Sequence, residues 1–179
     1  MQSQFVGDKT KQDLFARIAI NKRATLLYNL ESKVEAVKLL ISYLKNTIIF
    51  GNSLDALSKV TKNVISSRNS SDINDKIRKD FEDGNLNEIA SFKVLKQGAN
   101  IKGLDNVIAM SYYSSEKDLI QRAGRIRKDN KETGGLFIFV TKDTQEEKWY
   151  QRMISNINAY NVIEHNNVYD CIKHINKLE

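Results

Sequence analysis

The 179-residue chain has no proline, one cysteine, one tryptophan and two histidines. The lone Cys171 excludes an internal disulfide and fits a reducing compartment, so the cytoplasm is expected, or the host cytoplasm for a viral protein. Cys171, His165 and His174 show no metal-ligand spacing, and no metal site is assigned. No apolar run approaches the roughly 20 residues that cross a bilayer, and the first residues show no signal-peptide core. No membrane partner is expected. Proline is missing while Asn, Lys and Ile are plentiful, a bias that an AT-rich genome would give. Arginine placement therefore carries more weight than lysine number.

What is present is ordinary for a soluble globular domain: 41% hydrophobic and 28% charged residues, enough chain for one good core. The net charge of +6 and a pI near 9.3 permit nucleic-acid binding without establishing it.

Met1 to about Leu14 reads as a polar, frayed lead-in. From Phe15 to Leu44, apolar residues fall at helical spacing, with Val34, Val37, Leu40, Ile41 and Leu44 on one side. Strands are predicted over Thr47–Phe50, Asn63–Ser66, Glu88–Leu95, Asn106–Tyr112 and Leu136–Thr141. Ser53 caps a helix to about Thr61. Ser70 and Ser71 offer caps for one through Ile73, Ile77 and Phe81, stopped by Gly84. Further helices are predicted over Thr144–Ile157 and Val168–Leu178, with Ile172 and Ile175 on the packed side of the last. Apolar strands alternating with helices imply a mainly parallel sheet covered on both faces, a three-layer α/β domain. The expected organisation is a helical lead-in over residues 1–44, the α/β domain over 45–160 and a helical extension over 161–179.

The most distinctive stretch is Asp118-Leu119-Ile120-Gln121-Arg122-Ala123-Gly124-Arg125-Ile126-Arg127-Lys128. If Ser115 caps a helix there, Gln121, Arg125 and Lys128 share one face with Arg122 beside them, and Leu119, Ala123 and Ile126 form an apolar face. Arginine forks suit phosphate oxygens. A solvated basic helix is the bland alternative. Against it, Gly124 costs about 1 kcal/mol in a helix interior, and the segment follows a strand, where open α/β folds bind ligands.

Gln121-Arg122-x-Gly124-Arg125 resembles motif VI of superfamily 2 helicases and translocases. Leu95-Lys96-Gln97-Gly98-Ala99-Asn100-Ile101-Lys102-Gly103-Leu104-Asp105 resembles motif V, and Ile48-Ile49-Phe50-Gly51-Asn52-Ser53 resembles motif IV. Phe81-Glu82-Asp83-Gly84 is similar to the Phe-x-x-Gly that ends a helix before motif V in this family. Order and spacing agree from about Lys45 through Lys142, covering the family's second RecA-like domain.

The resemblance implies that ATP and Mg2+ are held mainly by a first RecA-like domain, in cis or in trans, and that this chain supplies arginine fingers to the γ-phosphate. Fingers of this kind are worth about 10³–10⁵ in rate in related nucleotide hydrolases. Arg125 is the first candidate, with Arg122 and Gln121 coupling the nucleotide to the neighbouring domain. The family's second arginine falls at Lys128, beside Arg127. Lysine lacks the bidentate fork, so either residue remains open as the second finger. Gly98 allows close approach to a ligand, and Asn100 aligns with a position that contacts the ribose. Asn52, Ser53, Ser66 and Ser67 are candidate contacts to a nucleic-acid backbone; for Ser53 a plain helix cap is nearly as good an account. Tyr112 and Tyr113 offer stacking faces or core packing, and Trp149 with Met153 reads as packing.

No GxxxxGK[S/T] phosphate loop and no acidic magnesium motif are present. Gly7-Asp8-Lys9-Thr10 is a superficial match, because Asp8 breaks the Gly-Lys pair and no apolar strand precedes it. Negligible ATP hydrolysis is expected from the chain alone. Two functions are implied: the second motor domain of an ATP-dependent helicase or translocase, or a stand-alone nucleic-acid-binding or regulatory module without ATPase activity. The motif V to VI stretch is closer to phage and repair-type DNA helicases than to DEAD-box RNA helicases, whose motif VI usually starts with His, so Gln121 favours DNA over RNA.

Overall fold

Thr47-Ile48-Ile49-Phe50-Gly51 has no polar alternation, and it forms the central strand β1 (Thr47–Gly51), buried along its whole length. In the computed structural model, residues 3–92, 101–111, 135–156 and 162–177 are described. Around β1 lie β2 (Val64–Ser66), β3 (Glu88–Phe92), β4 (Asn106–Ala109) and β5 (Leu136–Ile138), in the order β2-β3-β1-β4-β5. Every pairing is parallel, with Ile49 opposite Ala90 on one side and Ile108 on the other. The mainly parallel sheet expected from the sequence is present, and among the described residues it is entirely parallel.

The pleat divides the core. On one face Ile49, Ile108 and Met110 pack with Val34, Val37 and Leu40 of α2 (Glu31–Ile41), Leu57 of α3 (Leu54–Val60) and Ile172 of α6 (Val168–Ile175). On the other, Ile48, Phe50 and Val107 pack with Phe81 of α4 (Ser71–Glu82) and with Ile101 and Leu104. Met153 and Trp149 of α5 (Gln145–Asn156) cover Ala109 and Ile138 on that side, the packing role expected for them.

Helix boundaries follow their caps. Ser53 Oγ accepts from Ala56 N–H and Ser70 Oγ from Ile73 N–H, each satisfying one orphan donor of the first turn. Gly84 follows the end of α4 at φ +78°, the left-handed conformation that glycine enters without steric cost. Only Phe81 of α4 is fully buried, and Ile73 is half-exposed, so that helix lies shallowly on the sheet.

Three expectations are revised. The lead-in is helical from near its start: α1 (Ser3–Tyr28) spans 26 residues. Its run of Lys, Gln, Leu, Ala and Arg sustains a helix by propensity, with no apolar face required. Residues 12–23 are exposed on every side, including Leu14, Phe15 and Ile20. The single helix expected over Phe15–Leu44 is two, because the chain turns at Asn29 and Leu30, the latter extended at ψ 121°. Asn29 Nδ2 donates to Thr25 O, closing the end of α1. Strands β2, β4 and β5 are shorter than expected, whereas β1 runs one residue further, through Gly51. Phe139 N–H still donates to Ala109 O beyond the end of β5, while residues 93–95 and Tyr112 lie outside the described residues.

Candidate nucleotide and nucleic-acid edge

Because all five strands run the same way, their C-terminal ends share one edge, the place where open α/β sheets bind ligands. Asn52 and Ser53 follow β1 there, and Ser66 and Ser67 stand at the end of β2. From the same edge the chain leaves β3 toward Gly98 and Asn100, and leaves β4 toward Gln121, Arg122, Arg125, Arg127 and Lys128. Those residues, with Tyr112 and Tyr113, lie outside the described residues.

Ser53 is doubly engaged. Its hydroxyl donates to Asn29 Oδ1 at 2.5 Å and accepts from Ala56 N–H at 3.2 Å, so it stitches the α1–α2 joint to the β1 turn. Asn52 beside it is half-buried, and its Nδ2 is a buried donor without a formed hydrogen bond. Burial first, and then the Glu146 carboxylate, raise the pKa of Tyr28, and the Asn52 side chain acts in the opposite direction.

Ser66 is buried and structural. Asn74 Oδ1 accepts from Ser66 N–H at 3.2 Å, and Asn74 Nδ2 donates to Ser66 O at 2.9 Å, which clamps the strand end. Ser66 Oγ accepts from Arg68 N–H, and Asn69 Nδ2 donates to Val64 O. On this braced turn Ser67 and Arg68 are exposed. Arg68 escaped the sequence reading. Its signal was position: a cation directly after a strand, before a capped helix.

A second polar group lies at the end of β5. Lys33 Nζ donates to Glu146 Oε2 at 2.6 Å, with both side chains buried. Thr141 N–H donates to the same oxygen at 2.9 Å, while Glu146 Oε1, Thr141 Oγ1 and Ser111 Oγ are buried without partners. Burial lowers the Lys33 pKa, and the charge and hydrogen bond of Glu146 oppose that shift. Lys33 was also missed, though it sits in the apolar register of α2, one turn before Val37. A lysine at a core position needs a buried partner.

Among the described residues no group of three or more His, Cys, Asp or Glu side chains is arranged to hold a metal ion. Magnesium, as a hard cation, takes carboxylate and phosphate oxygens, and the described part of this edge has no donor set for it. No described helix is long and apolar enough to cross a membrane.

The parallel sheet, the helices on both faces and the loops gathered at one edge define a RecA-like domain. The chain belongs to the family of helicase conserved C-terminal domains, whose pattern its residues 21–130 match. It is 24% identical over 150 residues to the DNA 3'-5' translocase XPB2 of Sulfurisphaera tokodaii, covering 80% of this chain and 34% of that protein. It thus spans about a third of that relative's length. The S. cerevisiae Dbp5 structure bound to RNA and ADP BeF3 superposes with a TM-score of 0.69 at 15% identity, over 82% of this chain and 42% of that one. The Mycobacterium smegmatis helicase Lhr bound to ssDNA and AMP-PNP gives 0.54 at 18% identity, over 68% and 18%. At these identities the structures speak for the fold alone.

Proposed function

We propose that the chain is the second motor domain of an ATP-dependent DNA helicase or translocase, with ATP and magnesium held mainly by a first RecA-like domain. The observation that carries this reading is the family match across residues 21–130, which includes the motif IV, V and VI stretches. The parallel sheet supports it, since the chain enters the motif V and VI stretches from the edge that also carries Asn52 and Ser67.

In this reading Arg125 is the finger that stabilises charge on the γ-phosphate, with Arg127 or Lys128 beside it. Arg122 and Gln121 relay the nucleotide state between domains, and Gly98 and Asn100 approach the nucleotide. Asn52, Ser67 and Arg68 meet the nucleic-acid backbone. Ser53 and Ser66 take part through their turns, because their hydroxyls already serve the fold. DNA is favoured over RNA by Gln121 and by the likeness to a DNA translocase. The assignment to a phage or repair type of helicase rests on the motif V to VI resemblance alone.

The test is ATP hydrolysis by the chain mixed with a matching first domain, with and without single-stranded DNA. DNA-stimulated turnover is expected, with negligible turnover by the chain alone. Arg125→Ala should abolish turnover while leaving circular dichroism and thermal unfolding unchanged. Full activity in that variant removes the finger assignment, and rapid hydrolysis by the isolated chain removes the half-site reading.

A further inference from the structure

The two outermost strands of the sheet treat their free sides differently. At β2 the outer main-chain groups are all engaged. Val64 N–H donates to Lys62 O, Asn69 Nδ2 to Val64 O, Ser66 N–H to Asn74 Oδ1, and Asn74 Nδ2 to Ser66 O. That edge is sealed. At β5, Gly135 O accepts from Val107 N–H and Phe139 N–H donates to Ala109 O, so residues 135, 137 and 139 turn toward β4. Alternation directs the N–H and C=O of Leu136 and Ile138 outward, where they meet no partner among the described residues. Val140 beyond them forms no main-chain bond there either.

A row of free N–H and C=O groups templates another strand, and proteins usually blunt such an edge with lysine, proline or a covering element. Leu136-Phe137-Ile138-Phe139-Val140 has neither charge nor proline. The whole stretch lines a cavity of about 530 Å³, with Ala36 and Leu40 of α2, Ile163 and Val168 among its other walls. No carboxylate lines this cavity. Of its two lysines, Lys33 is engaged by Glu146. Lys142 Nζ donates to Asn166 Oδ1 at 2.8 Å and has no carboxylate partner among the described residues.

We propose that the outer edge of β5 is a docking site for an extended, apolar segment of a partner protein, flanked by acidic residues that meet Lys142. The added strand pairs its main chain with Leu136, Ile138 and Val140 and buries alternate side chains in the cavity. A second copy of this chain fits less well, because Gly134 to Lys142 holds no carboxylate to offer the Lys142 of another copy. The surface owes nothing to the helicase reading.

The probes are two fluorescein-labelled peptides, Val-Thr-Val-Ile-Val-Thr-Val with Glu-Glu at its start or at its end, titrated against the full chain by anisotropy. Saturable binding of at least one is expected. On binding, amide hydrogen exchange should slow about ten-fold at Leu136, Ile138 and Val140 and change little at Phe137 and Phe139. Methylating alternate peptide nitrogens should weaken binding about ten-fold, and Val140→Pro, which removes an unpaired N–H, about five-fold. Lys142→Glu should weaken it about five-fold and favour peptides with Lys-Lys in place of Glu-Glu. No saturable binding, protection without that alternation, or indifference to Lys142→Glu overturns the proposal. So does slow exchange at Leu136, Ile138 and Val140 in the chain alone. Dependence of that exchange on chain concentration would identify a second copy at the edge, and independence a segment of the chain itself. Neither readout involves nucleotide or nucleic acid, so failure here leaves the helicase reading untouched.

Discussion

Lys33 Nζ and Glu146 Oε2 meet at 2.6 Å across 113 residues of sequence, with the lysine side chain 7% exposed and the glutamate 1%. The pair locks α2, which precedes the sheet, to α5, which follows it. Each charge is tolerable in the interior only because of the other. Removing one partner strands the other and typically costs about 3–5 kcal/mol, whereas replacing both by apolar groups is often neutral or stabilising. Lys33→Met and Glu146→Leu are each expected to lower the urea unfolding free energy by about that much. The double variant should recover most of the loss, and additive losses would show that the pair contributes no mutual stabilisation.

Tyr150 Oη donates to Glu164 Oε1 at 3.0 Å, joining α5 to the segment before α6. Burial first, and then this carboxylate, push the phenol from 10.0 up to about 12. The folded chain thus holds this proton more tightly than the unfolded chain. The resulting stabilisation is fully present below pH 10 and is lost as pH rises toward 12. Thermal unfolding from pH 9 to 12 should show the decline, and Tyr150→Phe should flatten it. In an ultraviolet tyrosinate titration, the same variant should lose a late-titrating phenol.

A Cβ at Gly51 would come within 2.8 Å of Leu57 Cδ2 and 3.0 Å of its Cγ. Leu57 is fully buried against both α2 and the sheet, so it has little freedom to give way. Gly51→Ala is expected to cost about 1–3 kcal/mol, the usual penalty for overpacking. Chemical denaturation measures it, and a neutral result would mean that α3 can shift outward.

The turn after β2 carries the exposed Arg68 on a backbone braced by Asn74. Under the proposed function, Arg68→Ala should weaken single-stranded DNA binding and make the salt slope shallower by about 0.7, the loss of one phosphate contact. Asn74→Ala removes both bonds to the Ser66 backbone and should instead lower thermal stability. Fluorescence anisotropy at several salt concentrations, alongside melting curves, distinguishes them. An unchanged slope in Arg68→Ala removes that residue from the interface.

Much of this arrangement was legible in local chemistry. The apolar run from Thr47 to Phe50 could only be a buried strand, and Ser53, Ser70 and Gly84 mark helix ends by hydrogen bonds spanning three or four residues. The parallel sheet followed from alternation. Lost to a linear reading were relations that exist only after folding. The Lys33–Glu146 pair is invisible until α2 and α5 converge, and the second engagement of Ser53 depends on Asn29 swinging over from the α1–α2 joint. The start of α1 lacks apolar periodicity, the signal that makes a helix legible, because residues 12–23 bury no face. Of the candidate site, Asn52, Ser53, Ser66 and Ser67 can be placed at the C-terminal edge. The motif V and VI residues rest on order and spacing in the sequence.

The opposite edge of the sheet has a use of its own. There Asn46 O accepts from both Asp105 and Asn106 N–H, Asn106 Nδ2 donates to Lys45 O, and Asn87 O accepts from Thr47 N–H. Asn46 itself adopts φ 49° at that crossing and binds Asp105 through its side chain at 2.7 Å. These bonds cross-link the starts of β1, β3 and β4 into a base facing away from the candidate edge. A fluorophore or surface tether attached at the exposed Tyr43, close to this base, would hold the domain by its rigid end and leave every βα turn unencumbered. Single-molecule force or rotation measurements on the chain can be anchored there without touching the edge whose movements they are meant to record.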